Sequence, residues 1–215
     1  MTEHLTVASL VDRILAEQSH SRRIIAIAGA PGSGKSTIAE TLKERINAVR
    51  PGHADILPMD GYHFDDMVLN ARGDRARKGS PHTFDLDGFR VMLERLRADD
   101  GRDIAVPVFD RSIEIARAGG RIIPASTRII LAEGNYLLLD QPGWRDLGPL
   151  FDLTVMLDVG EEMLVKRLLE RWAGFDYDEA ATITKMEGND LPNVRLVIGN
   201  SRPADIMIRS PETPA

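Results

Sequence analysis

The sequence predicts an α/β fold, a three-layer α/β/α sandwich whose parallel β-sheet carries a loop that binds phosphate groups. Two observations support this prediction. Short apolar runs typical of buried strands alternate with segments of helical apolar spacing, which favours parallel strands joined by right-handed crossovers. The octapeptide from Gly29 to Ser36 matches the phosphate-loop pattern G-x-x-x-x-G-K-[ST] and lies between such a strand and such a helix. We therefore expect the chain to bind a nucleoside triphosphate.

The apolar pattern locates the individual elements. The segments with helical spacing are residues 5–18, 38–49, 87–98 and 161–172. The runs with strand character are residues 24–28, 54–59, 104–109, 128–132, 152–157 and 204–208. Pro58 cannot donate a ladder hydrogen bond, so its strand is expected at an edge of the sheet. The polar residues 61–84 are predicted to form a loop that faces the substrate.

Length and composition limit the class of protein. The 215 residues suit a single domain over residues 1–210, with a disordered tail over 211–215. The absence of cysteine excludes disulfides, thiolate metal sites and thiol nucleophiles. No run has the length of a signal peptide or a membrane span, so we expect a soluble, cytoplasmic protein. The net charge of −6 gives no reason to bind nucleic acid, which favours small-molecule chemistry. A homodimer is left open.

The phosphate loop predicts which residues bind ATP. Its glycines let backbone N–H groups turn towards the phosphates at a helix N-terminus. Lys35 is expected to reach the β- and γ-phosphates and to take part in catalysis, and Ser36 is expected to hold Mg²⁺. The expected contacts to ATP are Gly29, Ala30, Pro31, Gly32, Ser33, Gly34, Lys35, Ser36 and Thr37.

Two acidic residues, Asp60 and Glu133, each follow a predicted strand directly. In open parallel sheets, ligands bind at the carboxyl ends of the strands. A carboxylate near the acceptor hydroxyl can take its proton, and one near Mg²⁺ can hold metal-bound water. We assign the first role to Asp60 and the second to Glu133. A helix cap or a loop acid is the structural alternative at each position.

Arg167 and Arg171 lie four residues apart, on one face of a predicted helix and opposite its apolar stripe. We predict that they belong to a lid over about residues 160–193 and spread the charge that develops during phosphoryl transfer. A solvated helix face explains the same spacing.

Several motifs resemble those of the superfamily of uridine kinases, phosphoribulokinases and pantothenate kinases. The motifs are Met59–His63, Pro81–Asp85, Pro107–Arg111, Ala132–Tyr136 and the segment Arg167–Asn193. Phe109-Asp110-Arg111 and Asn189–Asn193 are most similar to the bacterial branch labelled fructose transport system kinases. The resemblance implies a P-loop NTPase fold with five parallel strands in the order 2-3-1-4-5. It also implies that Asp60 is the catalytic base and that Arg167 and Arg171 are lid arginines.

One departure from the superfamily concerns the phosphate acceptor. Uridine kinases carry an Asp two positions before the Pro that matches Pro81, where this chain has Gly79, and their His after Tyr-Asp-Phe falls near Glu114. We therefore expect a sugar or similar polyol rather than a nucleoside. The candidate acceptor contacts, each also explained as an ordinary loop residue, are Tyr62, His63, Arg72, Asp110, Arg111 and Arg117.

The leading functional hypothesis is an ATP-dependent kinase that phosphorylates a hydroxyl group of a small metabolite. A uridine/cytidine kinase and a pantothenate kinase are the alternatives within this class. A nucleotide switch without an acceptor, such as a GTPase, and a nucleotide-binding protein without catalysis are the alternatives outside it. The string nearest to the guanine-reading pattern N/T-K-x-D is Thr184–Glu187, which ends in the wrong acid and disfavours the switch.

Overall fold

The computed structural model describes residues 2–17, 19, 21–173 and 178–209, so the predicted tail over 211–215 lies outside the described residues. The helices are α1 (Val7–Ala16), α2 (Lys35–Val49), α3 (Asp66–Arg72), α4 (Leu86–Ala98), α5 (Glu161–Ala173), α6 (Glu179–Lys185) and α7 (Leu191–Asn200). The strands are β1 (Glu3–His4), β2 (Arg23–Ala28), β3 (Ala54–Pro58), β4 (Ile104–Asp110), β5 (Ile115–Ile123), β6 (Ile129–Gly134), β7 (Leu153–Asp158) and β8 (Ile206–Arg209). None of the helices in these ranges is long and apolar enough to cross a membrane.

The main sheet has six parallel strands in the order β1-β8-β7-β2-β6-β3. The α/β class is confirmed, and the strand with Pro58 lies at an edge. Five of the strands follow the expected order, but the expected number of strands is corrected from five to six, because β1 pairs with β8. The two residues of β1 are exposed and show no periodicity that a pattern could detect. The first helix begins only at Val7, because Thr6 caps it by accepting a hydrogen bond from the Ser9 N–H.

Apolar side chains pack on both faces of the sheet and give the three layers. Alternate residues of β2 point to opposite faces, so Ile24 packs with one cluster and Ile25 with the other. The first cluster includes buried residues of α4, α5 and α7, and the second includes those of α1 and α2. The interior strand β6, which lies between β2 and the edge strand β3, is buried along its whole length, as a strand covered on both faces must be.

The strand predicted at 104–109 is present, but it pairs with β5 in a separate antiparallel hairpin and not with the main sheet. The hairpin packs against the short 3₁₀ turn Met59–Tyr62 that follows β3. The approach is so close that a Cβ atom on Gly61 would lie 2.4 Å from the carbonyl oxygen of Pro107. Most of β5 is exposed, so the chain there lacks the alternation that predicts a strand.

The segment 61–84, predicted as a loop, contains the 3₁₀ turn, the short helix α3 and further single turns. Asp65 caps α3 by accepting a hydrogen bond of 2.8 Å from the N–H of Met67.

We expect Gly61→Ala to destabilise the protein by about 1–3 kcal/mol, because the added methyl group meets a backbone oxygen that cannot move alone. Gly199→Ala is the matched control. A Cβ atom on Gly199 meets nothing within 4 Å, and the residue lies in α7. Alanine there should stabilise by about 0.5–1 kcal/mol. Urea denaturation measures both free energies of unfolding, and equal effects of the two substitutions would contradict the close packing of the hairpin.

Candidate active site

Three adjacent strands end at the same level and bring the predicted site residues together. Glu133 pairs in register with Ile27 on one side and with Pro58 on the other. The phosphate loop begins at Gly29, two residues after Ile27, and Asp60 lies two residues after Pro58. The pairing therefore places the two predicted acids and the phosphate loop around one point at the carboxyl edge of the sheet.

The phosphate loop has the backbone shape that its glycines predict. Gly32 and Gly34 have φ angles of +82° and +88°, which side-chain-bearing residues rarely adopt. A hydrogen bond from the Ser33 N–H to the Ala30 carbonyl closes the turn at 3.0 Å. No side chain caps the N-terminus of α2, which starts at Lys35. Its first N–H groups can therefore receive an anion.

Lys35 is a buried cation at the centre of this loop. Its side chain reaches back and its Nζ donates to the Ala30 carbonyl oxygen at 3.1 Å. Burial lowers the pKa of Lys35 to about 8, although the nearby carboxylates of Glu133 and Asp60 favour its charged form. A buried ammonium group requires negative partners, and a bound phosphate would supply them.

Glu133 and Ser36 form the second polar pair of the loop. The Ser36 hydroxyl donates to Oε2 of Glu133 at 3.3 Å. Burial and the negative charge of Asp60 raise the pKa of Glu133 to about 7, although Lys35 and Arg111 oppose this change. A hydroxyl and a carboxylate beside a phosphate site are oxygen ligands of the kind that Mg²⁺ takes, so these residues fit that ion.

Asp60 lies in the 3₁₀ turn after β3, with its side chain 23% exposed. Its Oδ2 atom accepts a hydrogen bond from Nη2 of Arg111 at 2.9 Å. Its carbonyl oxygen accepts a hydrogen bond of 2.7 Å from Nδ1 of His63. The His63 ring lies between the rings of Phe84 and Phe109, with centroid distances of 4.1 and 4.6 Å, and burial lowers its pKa. A group of three tilted rings therefore borders the predicted base.

Arg167 and Arg171 of α5 both face the cleft. Nη1 of Arg167 lies 3.5 Å from the carbonyl oxygen of Gly32 in the phosphate loop. The guanidinium carbon of Arg171 lies 5.4 Å from the ring centroid of Trp172. Burial lowers the pKa of Arg171, and the positive charge of Arg111 adds to this effect.

Two further residues that line the cleft were not predicted as site residues from the sequence. A π-helical turn, Met186–Asp190, carries Asn189 and Asp190 into the cleft. Trp172 donates to Oδ2 of Asp190 at 2.6 Å, and burial raises the pKa of this aspartate. The Asn189 side chain donates to the Lys78 carbonyl at 2.8 Å. Both residues belong to the motif Asn189–Asn193, and this motif was the sequence signal that could have identified them as site residues.

The cleft encloses a cavity with a volume of about 340 Å³. Among the described residues that line it, four of the six predicted acceptor contacts are absent. Tyr62 is buried with its ring 5.0 Å from that of Phe89, and burial raises its pKa. Arg72 lies over the ring of Phe64 at 4.3 Å. Asp110 and Arg117 form an ion pair with each other at 3.1 Å. His63 and Arg111 do line the cavity. An acceptor role for any of the six stays a prediction.

Comparison with known proteins gives consistent matches. Residues 24–180 match the model of the phosphoribulokinase/uridine kinase family. The Schizosaccharomyces pombe protein "Putative uridine kinase C227.14" is 32% identical over 209 residues, which cover 93% of this chain and 88% of that protein. A Listeria monocytogenes pantothenate kinase is 28% identical over 158 residues, which cover 73% of this chain and 51% of that protein. A solved structure from Silicibacter sp. TM1040, described as a "putative fructose transport system kinase", has 38% identity and a TM-score of 0.87, with coverage of 94% and 98%.

We expect Glu133→Gln to stabilise the ligand-free protein at neutral and higher pH. Because the folded state holds the Glu133 proton more tightly than the unfolded state, the free energy of unfolding falls as the pH rises from about 4.5 to about 7. The substitution removes this loss, which is on the order of 2–3 kcal/mol. Urea denaturation at about pH 5 and about pH 8 measures the difference. The exposed Glu44 of α2 provides the control Glu44→Gln, and the same pH-dependent gain in both variants would contradict the assignment.

Proposed function

Because this chain belongs to the phosphoribulokinase/uridine kinase family, we propose that its cleft transfers the γ-phosphoryl group of ATP to a hydroxyl group of a sugar or sugar-like polyol. The family consists of ATP-dependent phosphotransferases, and this chain is one of them. The observation that carries the proposal is the arrangement of Lys35, Glu133 and Asp60 around the ends of three strands, beside one polar cavity.

The triphosphate side of the reaction is assigned to the phosphate loop. Within Gly29–Thr37, the backbone N–H groups of the residues other than Pro31 are available to bind the phosphate oxygens, and Lys35 neutralises charge on the β- and γ-phosphates. Ser36 and Glu133 would hold Mg²⁺, which when bound draws charge from the phosphate oxygens. Because Lys35 is already buried and positioned, the loop needs little rearrangement to stabilise the transferring group.

Asp60 is assigned as the general base. The acceptor hydroxyl oxygen forms a bond to the γ-phosphorus as the bond to the β–γ bridging oxygen breaks and ADP leaves. The hydroxyl proton passes to the carboxylate of Asp60, which lies at the end of β3 and faces the same cavity as the phosphate loop.

The segment over about residues 160–193 is proposed as a lid that carries two arginines. Arg167 and Arg171 both line the cavity, and Arg167 lies beside the phosphate loop. Cations in this position would spread the charge that develops on the transferring phosphoryl group. The π-helical turn and its hydrogen bond to Trp172 support the end of the lid nearest the acceptor.

The polar groups around the acceptor end of the cavity favour a polyol. Gly79 supplies no carboxylate, whereas Lys78, Asn189 and His63 offer a cation, an amide and an imidazole to hydroxyl groups. The description of the Silicibacter protein as a "putative fructose transport system kinase" agrees with this choice. A nucleoside is the second candidate, since the partly exposed ring of Phe109 lines the cavity and can contact a flat base, and the S. pombe relative is named "Putative uridine kinase C227.14".

A panel of acceptors tests the substrate class. We expect fructose or a related polyol to stimulate ADP release more than uridine, cytidine, pantothenate or ribulose 5-phosphate. The physical reason is that a site built to hydrogen-bond hydroxyl groups strongly rejects substrates that leave its polar groups unpaired. A coupled assay of ADP release measures each acceptor. A clear preference for a nucleoside would contradict the polyol and leave the kinase assignment in place.

With the best acceptor of that panel, Asp60→Asn should lower kcat by roughly 10²-fold or more, because the amide keeps the shape and cannot take the proton. Affinity for ATP, measured by calorimetry, should be retained. Lys35→Ala should instead weaken both ATP binding and turnover. Asp87→Asn is the control, since that carboxylate is 92% exposed on α4. Lost ATP affinity with normal kcat in the Asp60 variant would remove Asp60 from the role of base.

A further inference from the structure

The ion pair between Arg111 and Asp60 joins the tip of the hairpin to the candidate base. Nη2 of Arg111 lies 2.9 Å from Oδ2 of Asp60, and the two side chains are 53% and 23% exposed. Ion pairs that solvent reaches to this extent contribute little to stability and are readily rearranged. One oxygen of the candidate base is therefore occupied by a group that a ligand can draw away.

The backbone at the tip of the hairpin, which carries Arg111, is braced beside Asp60. The Asp110 carboxylate accepts hydrogen bonds from the N–H and the hydroxyl of Ser112, at 3.1 and 2.6 Å. It also pairs with Arg117 across the hairpin at 3.1 Å. In the middle of β4, the close approach of Pro107 to Gly61 fixes the hairpin against the turn that carries Asp60. The backbone on both sides of the pair is thus fixed.

We propose that Arg111 is a positioning residue that restrains Asp60 while the acceptor site is empty and so suppresses the hydrolysis of ATP by water. The inference rests on the proposed function, in which Asp60 is the base. In the suppressed reaction, a water oxygen bonds to the γ-phosphorus, the bond to the β–γ bridging oxygen breaks, and ADP leaves. One proton of the water would pass to Asp60, and the γ-phosphoryl group with the water oxygen would leave as inorganic phosphate, the second product.

The chemistry of the acceptor explains how the restraint is released. Arg111 lines the same cavity as Lys35, and its guanidinium group has five N–H donors, of which one is used on Asp60. An acceptor that presents several hydroxyl oxygens can bind these donors and offer its own hydroxyl proton to Asp60. A single water molecule cannot do both, so the ion pair discriminates between the acceptor and water.

The test measures ADP release from MgATP with no acceptor present. Arg111→Ala should raise this hydrolysis by about tenfold, a fraction of what a general base contributes. Arg111→Lys should return it towards the wild-type rate, because the contact to Asp60 uses a single nitrogen that an ammonium group can replace. In the double variant Arg111→Ala/Asp60→Asn the increase should disappear.

The matched control is Arg121→Ala, which removes another arginine from the same hairpin. Arg121 ties β5 to β3, with Nη1 3.1 Å from the Ile56 carbonyl oxygen and 3.4 Å from the Asp55 carboxylate. If the increase came from loosening the hairpin, this variant would show it too. Under the proposal, Arg121→Ala leaves hydrolysis unchanged.

The outcomes separate this inference from the proposed function. Unchanged hydrolysis in Arg111→Ala, with normal calorimetric binding of a non-hydrolysable ATP analogue, would overturn the inference and leave the kinase assignment intact. An increase that persists in the double variant would also overturn it, because the water would then not act through Asp60. Failure of the wild-type protein to bind the analogue would overturn the proposed function and the inference together.

Discussion

The register of three parallel strands is the constraint on which the site depends. Because Glu133 of β6 lies level with Ile27 and Pro58, the residues that follow the neighbouring strands must emerge beside it. A shift of one residue would turn the Glu133 side chain to the opposite face of the sheet. The apolar residues that alternate between the two cores prevent such a shift, so the packing that stabilises the sheet also assembles the polar groups at its edge.

At the same edge of the sheet, the oppositely charged groups of Lys35 and Glu133 are buried. Burial disfavours the charged forms of both Lys35 and Glu133, and their mutual attraction offsets only part of the cost. A ligand that supplies phosphate oxygens and a cation compensates both groups at once. The ligand-free protein is therefore less stable than its fold alone would allow, and bound nucleotide should raise its stability by mass action. A preorganised site commonly lowers the stability of the ligand-free protein in this way.

Much of the fold and part of the site could be predicted because the signals are local. The five longer strands of the main sheet are apolar runs, and Lys35 and Glu133 stand next to such runs or inside a known pattern. The edge strand β1 and most of β5 are exposed, so neither has a periodicity to detect. Asp190 reaches the cleft only through a π-helical turn and a hydrogen bond to Trp172, 18 residues earlier. Such placement depends on tertiary packing, which single-sequence patterns do not encode.

The pairing of β1 with β8 has a consequence for synthesis of the chain. Thr2 donates to the carbonyl oxygen of Ala204, 202 residues later, and Glu3 pairs with Ile206. Contacts at such separation close a very long loop and form late in folding. During synthesis on the ribosome, β1 stays solvated and unpaired until its partner strand β8 has been made. Because β1 has only two residues, it exposes few unpaired backbone groups during this time, which limits pairing with another nascent chain.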